Sequence, residues 1–211
     1  MKTLLLVLAA VAATVLAVAV GFMALSRRST AATKPVTAKI PGKAAVVFYT
    51  QSKVRSTGTV AAWIAKHAGA DLVELEMAEP YPEPYGATLK AAEQDVSTGA
   101  LPALKAIPSL DGYDVVFLGS PIWYGTYAPP VGTFLAADAL AGKTVVPFCT
   151  HGGGGAGRFP ADVRQACPGA TVLETLSMRG PNQIERRLGI GVGARHTEDD
   201  VVDWLNRVFA P

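Results

Sequence analysis

Residues 115–125 read Val-Val-Phe-Leu-Gly-Ser-Pro-Ile-Trp-Tyr-Gly, and residues 145–155 read Val-Val-Pro-Phe-Cys-Thr-His-Gly-Gly-Gly-Gly. Each stretch begins as an apolar run of strand length and then breaks into a segment rich in glycine, proline or aromatic residues. Apolar runs that alternate with helical segments are typical of buried parallel strands. Ligands of open parallel sheets bind just beyond the carboxyl ends of the strands. The two segments that follow the runs are therefore the candidate binding site.

These two segments differ in what they offer a ligand. The first places Trp123 and Tyr124 side by side, and aromatic faces of this kind stack on flat aromatic ligands. The second continues with glycines, among them Gly152 and Gly153, whose backbone N–H groups a ligand can approach closely. The sequence therefore predicts a site for a flat aromatic ligand that accepts hydrogen bonds.

Strand-like and helical segments alternate along the rest of the chain. We predict five strands, over 44–49, 71–76, 113–118, 144–148 and 171–178. The spacing of apolar residues predicts helices over 57–67, 85–96, 129–140, 159–167 and 198–209. The segment with Tyr81 and Tyr85 is expected to cover the surface. With right-handed crossovers and helices on both faces, the pattern predicts an α/β fold with a three-layer, doubly wound parallel sheet.

The N-terminus carries a separate signal. From Leu4 to Leu25 the chain is apolar and uncharged, and at about 1.5 Å per residue this run can span a bilayer core of about 30 Å. We predict a transmembrane helix within an anchor at 1–28, a flexible linker at 29–43, and one domain at 44–211. A signal peptide cleaved near residues 29–31 is the alternative.

Charge sets the expected orientation and excludes one class of partner. Lys2 precedes the apolar run, whereas five Lys or Arg residues follow it within 27–43, which predicts a cytoplasmic domain. A cleaved signal would instead export the domain. Residues 1–43 contain no acid, so residues 44–211 hold 13 basic and 17 acidic groups. A mildly acidic domain argues against nucleic acid as a partner. The two cysteines are expected to pack as small apolar groups.

The chain resembles the flavodoxin-like family of FMN-binding proteins over about residues 44–179. Residues 119–125 are similar to the Pro-Ile-Trp-(Trp/Tyr)-Gly loop of short bacterial members, and residues 149–153 to their Cys-Thr-His-Gly-Gly loop. The resemblance implies a five-stranded parallel sheet with strand order 2-1-3-4-5 and FMN as a non-covalent cofactor. The flavin ring would stack on Trp123 and Tyr124, with backbone N–H groups of the second loop along its pyrimidine edge.

The phosphate loop is where this sequence departs from the family pattern. The family has Ser/Thr-x-Thr-Gly-Asn-Thr ahead of a helix that begins Val-Ala-x-x-Ile-Ala, and this helix is present at 60–65. Counted back from the helix, the loop is 52–57, with Val54 in place of a hydroxyl residue and Arg55 in place of the glycine. Alternatively, the loop starts at Thr50 and contains two inserted residues. In either alignment a helix N-terminus and nearby hydroxyl or cationic groups can bind phosphate.

Together the motifs imply one cofactor site. Its residues are Thr50, Ser52, Arg55, Ser56, Thr57, Pro121, Ile122, Trp123, Tyr124, Gly125, Thr150, His151, Gly152 and Gly153. No catalytic side chain is expected, because the flavin carries the redox chemistry. No metal site is expected, because the three histidines lack metal-ligand spacing. The His-Gly-Gly-Gly stretch also matches an esterase loop, but the chain lacks the Gly-x-Ser-x-Gly elbow that an esterase needs.

The expected function is electron transfer, or reduction of a quinone-type acceptor, by a membrane-tethered FMN-binding protein. Its partners would be FMN, an unidentified redox protein or small acceptor, and the lipid bilayer through residues 4–25. Two alternatives stay open. The first is a flavin-free binding module of the same fold, which the departures in the phosphate loop suggest. The second is an NAD(P)H-dependent quinone reductase.

Overall fold

The computed structural model describes residues 34–181, 185, 188–192 and 195–210. Within these residues, no helix is both long enough and apolar enough to cross a membrane. The predicted anchor at 1–28, with its apolar run at 4–25, falls outside them, as does the first part of the predicted linker.

A seven-stranded sheet runs through the described part of the chain. Its strands are β1 (Ala44–Phe48), β2 (Asp71–Glu74), β3 (Val115–Trp123), β4 (Thr126–Tyr127), β5 (Thr144–His151), β6 (Thr171–Val172) and β7 (Leu176–Arg179). The parallel strands follow the order β2-β1-β3-β5-β6, and β7 also pairs parallel with β5. The predicted parallel order is therefore confirmed, whereas the predicted count of five strands is wrong.

One extra strand arises because the predicted strand 171–178 is interrupted. Val145 pairs with Val172 and Phe148 with Leu176. Residues 146–147 of β5 therefore lie opposite the three residues 173–175 that separate β6 from β7. The carbonyl of Val145 accepts the N–H of Leu173. The backbone N–H and C=O groups of the odd-numbered residues of β5 therefore point toward β6 and β7. Pro147 is one of these and has no N–H to donate. The ladder breaks at a bulge because a donor is missing there.

The other extra strand comes from a hairpin at the end of β3. Ile122 pairs with Tyr127 and Trp123 with Thr126 in antiparallel register. The two residues between them, Tyr124 and Gly125, have φ values of 49° and 82°. Positive φ at both positions of a two-residue turn matches the right-handed twist of the flanking strands. Much of the predicted binding loop is therefore strand and tight turn rather than irregular chain.

Five helices cover the two faces of the sheet in the described residues. They are α1 (Ser56–Ala68), α2 (Tyr85–Thr98), α3 (Pro129–Ala136), α4 (Phe159–Ala166) and α5 (Glu198–Val208). α1 and α5 pack on one face, where Ile64 and Trp204 join a buried apolar cluster. α2, α3 and α4 pack on the other, where Phe134 and Phe159 join a second cluster. The predicted three layers are present because the central strands are apolar on both faces.

The second half of the predicted linker lies against the domain. Val36 and Ile40 pack on the cluster between the sheet and α5. The side-chain oxygen of Asn206, in α5, accepts the backbone N–H groups of Thr37 at 2.7 Å and Ala38 at 3.0 Å. Residues 36–40 are therefore held in place by α5.

Candidate functional site

A cleft of about 600 Å³ opens at the carboxyl edge of the sheet. This volume lies within the range of about 300–1,000 Å³ that is usual for small-molecule sites. Most of the predicted site residues line it, namely Thr50, Ser52, Ser56, Thr57, Pro121, Ile122, Trp123, Tyr124, Thr150, His151 and Gly152. Arg55, Gly125 and Gly153 are not among its lining residues.

Arg55 lies at the N-terminus of α1 but turns away from the cleft. Its guanidinium pairs with the carboxylate of Glu74 on β2 at 2.5 Å. The contact that sequence reasoning assigned to Arg55, with a phosphate in the cleft, is therefore not formed by this side chain. Its backbone has φ 45° and ψ 41°, the left-handed conformation that favours glycine. A glycine-favouring backbone at Arg55 is what the alignment that starts at Ser52 predicts, since it places the motif's glycine at this position.

The first turn of α1 presents hydroxyl groups and free backbone donors to the cleft. The hydroxyls of Thr57 and Thr150 lie 2.8 Å apart and form a buried hydrogen bond. The hydroxyl of Ser56 is also buried, yet it has no hydrogen-bond partner in the described part of the structure. The first N–H groups of any helix lack a carbonyl partner within the helix. This end of the cleft can therefore bind an anion with several acceptor oxygens.

The aromatic wall is fixed from behind by the core. Trp123 makes edge-to-face contacts with Tyr49 and Tyr81, at ring-centroid distances of 6.0 and 5.3 Å. The hydroxyl of Tyr124 donates a hydrogen bond to the backbone carbonyl of Leu89 in α2, at 2.9 Å. Trp123 therefore both packs on the core and lines the cleft, while the more exposed Tyr124 bridges the hairpin turn to α2.

The end of β5 carries His151, whose imidazole caps the chain that follows it. Its Nδ1 atom accepts the backbone N–H groups of Gly153 and Gly155, both at 3.1 Å. An Nδ1 atom that accepts two hydrogen bonds carries no proton, so the neutral ring has its hydrogen on Nε2. Burial, and then the electrostatic interactions with Arg179 and His196, lower the pKa of His151 below its usual value. The imidazole is therefore neutral at physiological pH.

A flavodoxin family model matches residues 43–208 of the chain. The protein belongs to the flavodoxin family. The fold of this flavodoxin is similar to that of a candidate flavoprotein from Bacteroides eggerthii DSM 20697, with a TM-score of 0.64 and 24% identity over 81% of this chain and 99% of that chain. It is also similar to a flavoprotein from Lactobacillus acidophilus NCFM solved in complex with FMN, with a TM-score of 0.54 and 20% identity over 70% of this chain and 97% of that chain. No curated protein matches the chain.

One wall of the flavodoxin cleft was missed by sequence reasoning. Tyr85, Thr88, Leu89 and Ala92 of α2 line the cleft, although the segment with Tyr85 was expected only to cover the surface. Their spacing of three and four residues places them on one face of a helix, which is the signal that could have identified them. The remaining lining residues that were not predicted are Gln51, Lys53, Val54, Glu83, Gly180 and Pro181.

Proposed function

We propose that this flavodoxin binds FMN non-covalently in the cleft and acts in electron transfer or in the reduction of a quinone-type acceptor. The observation that carries the proposal is the hydroxyl of Ser56 at the start of α1, which is buried and has no hydrogen-bond partner among the described residues, in the same cleft as the aromatic wall. One end of the cleft thus suits a phosphate and the other a flat aromatic ring, and FMN contains both.

The phosphate end would be formed by Ser52, Ser56, Thr57 and the first N–H groups of α1. A helix N-terminus binds phosphate because its free N–H groups and its dipole both favour an anion. A buried hydroxyl left without a partner costs about 1–3 kcal/mol, which a phosphate oxygen would offset. A bound phosphate would therefore supply the hydrogen bond that the hydroxyl of Ser56 lacks.

The ring end would be formed by Trp123, Tyr124 and Ile122, with the backbone from Thr150 to Gly152 along one edge. Aromatic stacking contributes about 0.5–1.5 kcal/mol beyond burial of area. FMN supplies the redox chemistry when it is bound. The protein's own side chains bind the ring, orient it and exclude water from the cleft, and the two buried cysteines, Cys149 and Cys167, are not among the lining residues.

A second candidate, an NAD(P)H-dependent quinone reductase, is favoured by the rim of the cleft, which suits a small apolar acceptor. Tyr85, Leu89 and Tyr124 line the cleft and are 47%, 38% and 44% exposed. Exposed apolar groups clustered at the mouth of a pocket are typical of binding surfaces. Consumption of NADH or NADPH by the FMN-loaded protein with a quinone, without any other protein, would favour a reductase over a carrier.

Titration of the purified full-length protein with FMN tests the proposal. After co-purified flavin has been removed, we expect flavin fluorescence to be quenched with a dissociation constant in the micromolar range or below. Trp123→Ala should weaken the binding of both FMN and riboflavin, because the two ligands share the ring that Trp123 would contact. Trp123→Phe, which keeps an aromatic face, is the matched control. Unchanged flavin fluorescence at high protein concentration would favour the flavin-free binding module.

We further propose that residues 4–25 anchor the domain to a membrane with the domain on the cytoplasmic side. The support is the uncharged apolar run and the excess of Lys and Arg that follows it. Extraction at high salt should leave the protein in the membrane fraction, and a C-terminal reporter should be active in the cytoplasm. A mature N-terminus near residue 32 would instead show a cleaved signal peptide.

A further inference from the structure

The chain that follows β5 is a glycine loop, residues 152–157, that forms part of the cleft edge. Gly153, Gly155 and Gly157 have φ values of 134°, 76° and 56°, a region that residues with side chains rarely adopt. A Cβ atom on Gly157 would lie 2.3 Å from the carbonyl oxygen of Gly125, so the loop also packs closely on the hairpin turn. The loop therefore has almost no side chains with which to hold its own shape.

Hydrogen bonds hold this loop at both ends, and Ala156 between them packs on the core. At its far end, the N–H of Arg158 donates to the carbonyl of Gly125 at 2.8 Å. At its near end, the imidazole Nδ1 of His151 accepts the N–H groups of Gly153 and Gly155. His151 and Gly152 line the cleft, so the near end is the one that a ligand would contact. At the near end, one acceptor atom thus holds two backbone N–H groups of the loop.

That acceptor works only while the imidazole is neutral. A proton on Nδ1 would face two N–H groups, so both hydrogen bonds would be lost at once. Burial, and then the positive charge of Arg179 on β7, oppose protonation of the ring. His196 has a partner of its own, since its Nε2 accepts the N–H of Arg179 at 3.0 Å. Lys53 and Glu83 also line the cleft, and they form an ion pair with each other, with 3.6 Å between Nζ and Oε2.

We propose that His151 is a positioning residue: its neutral imidazole holds the glycine loop in the shape that binds the cofactor, and protonation releases both the loop and the cofactor. This inference rests on the proposed binding of FMN. Cofactor release is then coupled to the uptake of one proton. Affinity should be constant above the titration of the imidazole and fall by about tenfold per pH unit below it, because each bound cofactor requires the neutral ring.

Two substitutions of His151 separate the acceptor from the rest of the ring. In His151→Asn, an amide oxygen can stand one bond beyond Cγ, where Nδ1 stands, and it does not titrate. We expect His151→Asn to keep the affinity of the neutral protein between about pH 5 and pH 8 and to lose the pH dependence. His151→Ala removes the acceptor and should bind more weakly at every pH, by about tenfold or more. His67→Gln, at a histidine outside the cleft, should behave as the wild type.

FMN and riboflavin should be titrated side by side in these experiments. The phosphate of FMN changes its own charge near pH 6, whereas riboflavin has no phosphate. In the wild type, we expect the affinity for both ligands to depend on pH. In His151→Asn, the affinity for riboflavin should not depend on pH, and the affinity for FMN should change only through the charge of its own phosphate. An equal loss of affinity in His151→Asn and His151→Ala would overturn the proposal, because the acceptor atom would then not be what matters. A dependence seen with FMN alone would also overturn it.

A measurement on the ligand-free protein tests the loop independently of FMN. The ¹⁵N chemical shifts of His151 should show hydrogen on Nε2 at neutral pH. The amide signals of Gly153 and Gly155 should move together with the imidazole as the pH is lowered, in full-length protein without flavin. If the chemical shifts of these amides do not change as His151 is protonated, the positioning role is wrong even if FMN binds. If they follow it and no flavin binds, only the proposed function fails.

Discussion

The hydroxyl of Thr57 lies 2.8 Å from the hydroxyl of Thr150, so a hydrogen bond joins the first turn of α1 to the end of β5. The two residues are 93 positions apart in the chain. Both side chains are buried and both line the cleft. This bond connects the end of the cleft that suits a phosphate with the strand that leads into the glycine loop.

Thr57→Val should affect both stability and ligand choice. The substitution keeps the shape of the side chain but leaves the hydroxyl of Thr150 buried without its partner, which should lower the free energy of unfolding by about 1–3 kcal/mol. The affinity for FMN should fall by about tenfold or more, and that for riboflavin much less, because only FMN has a phosphate. Thr150→Val, measured in the same denaturant and ligand titrations, removes the same bond from the other side. Equal effects of Thr57→Val on FMN and riboflavin would show that this turn does not bind phosphate.

Substitutions of Arg55 should separate backbone strain from charge. Arg55→Gly relieves a left-handed conformation that costs a residue with a side chain roughly 1–2 kcal/mol, whereas Arg55→Ala retains it. Each loses the exposed ion pair with Glu74, which contributes about 0–1 kcal/mol. Denaturant unfolding should therefore find Arg55→Gly more stable than Arg55→Ala by about 1 kcal/mol or more. Neither should change FMN affinity or its salt dependence, since the guanidinium lies outside the cleft.

Gly119 and Gly86 form a matched pair for a test of packing. A Cβ atom on Gly119, in β3, would lie 2.1 Å from the ring of Phe148 on the adjacent strand β5. Gly119→Ala should therefore destabilise the protein by at least about 1–3 kcal/mol, as overpacked core substitutions do. Gly86, in the first turn of α2, has open space around it, so Gly86→Ala should stabilise by about 0.4–1 kcal/mol. The two variants should shift the urea midpoint in opposite directions, and an unchanged or raised midpoint for Gly119→Ala would contradict the close approach of Gly119 to Phe148.

The thiols of Cys149 and Cys167 should be inert in the folded protein. Both are buried and unpaired, and burial raises the pKa of each to about 11. The reactive thiolate is therefore scarce at neutral pH. A colorimetric thiol reagent at about pH 8 should label neither residue rapidly in native protein and both after denaturation. Rapid labelling of native protein, or a thermal midpoint that falls on reduction, would contradict this prediction.

Local sequence patterns predicted most of the elements that build the site. The apolar runs at 115–118 and 145–148 lie in β3 and β5, and helices form at or near the predicted positions. Both results follow from local rules, because burial on both faces selects apolar strands, while spacing and proline select helix bodies and starts. The hairpin after β3 was missed because Tyr124 is not a residue that usually adopts positive φ in such a turn.

Other features depend on contacts between distant segments. The break between β6 and β7 depends on which side of β5 the missing N–H of Pro147 faces, and only the register of the sheet decides this. The direction of Arg55 depends on Glu74, and the wall formed by α2 depends on how that helix crosses the sheet edge. None of these can be deduced from the residues on either side.

Local sequence patterns were enough to place most strands and helices, to show that the central strands β1, β3 and β5 are parallel and buried, and to show that the ends of β3 and β5 carry an aromatic and a glycine-rich segment. Folding decided that the buried hydroxyl of Ser56 finds no partner among the described residues, that Thr57 meets Thr150, and that His151 holds the glycine loop. The physical reason is that periodicity and propensity act over a few neighbouring residues. Hydrogen bonds and burial at a site are set by segments that only folding brings together.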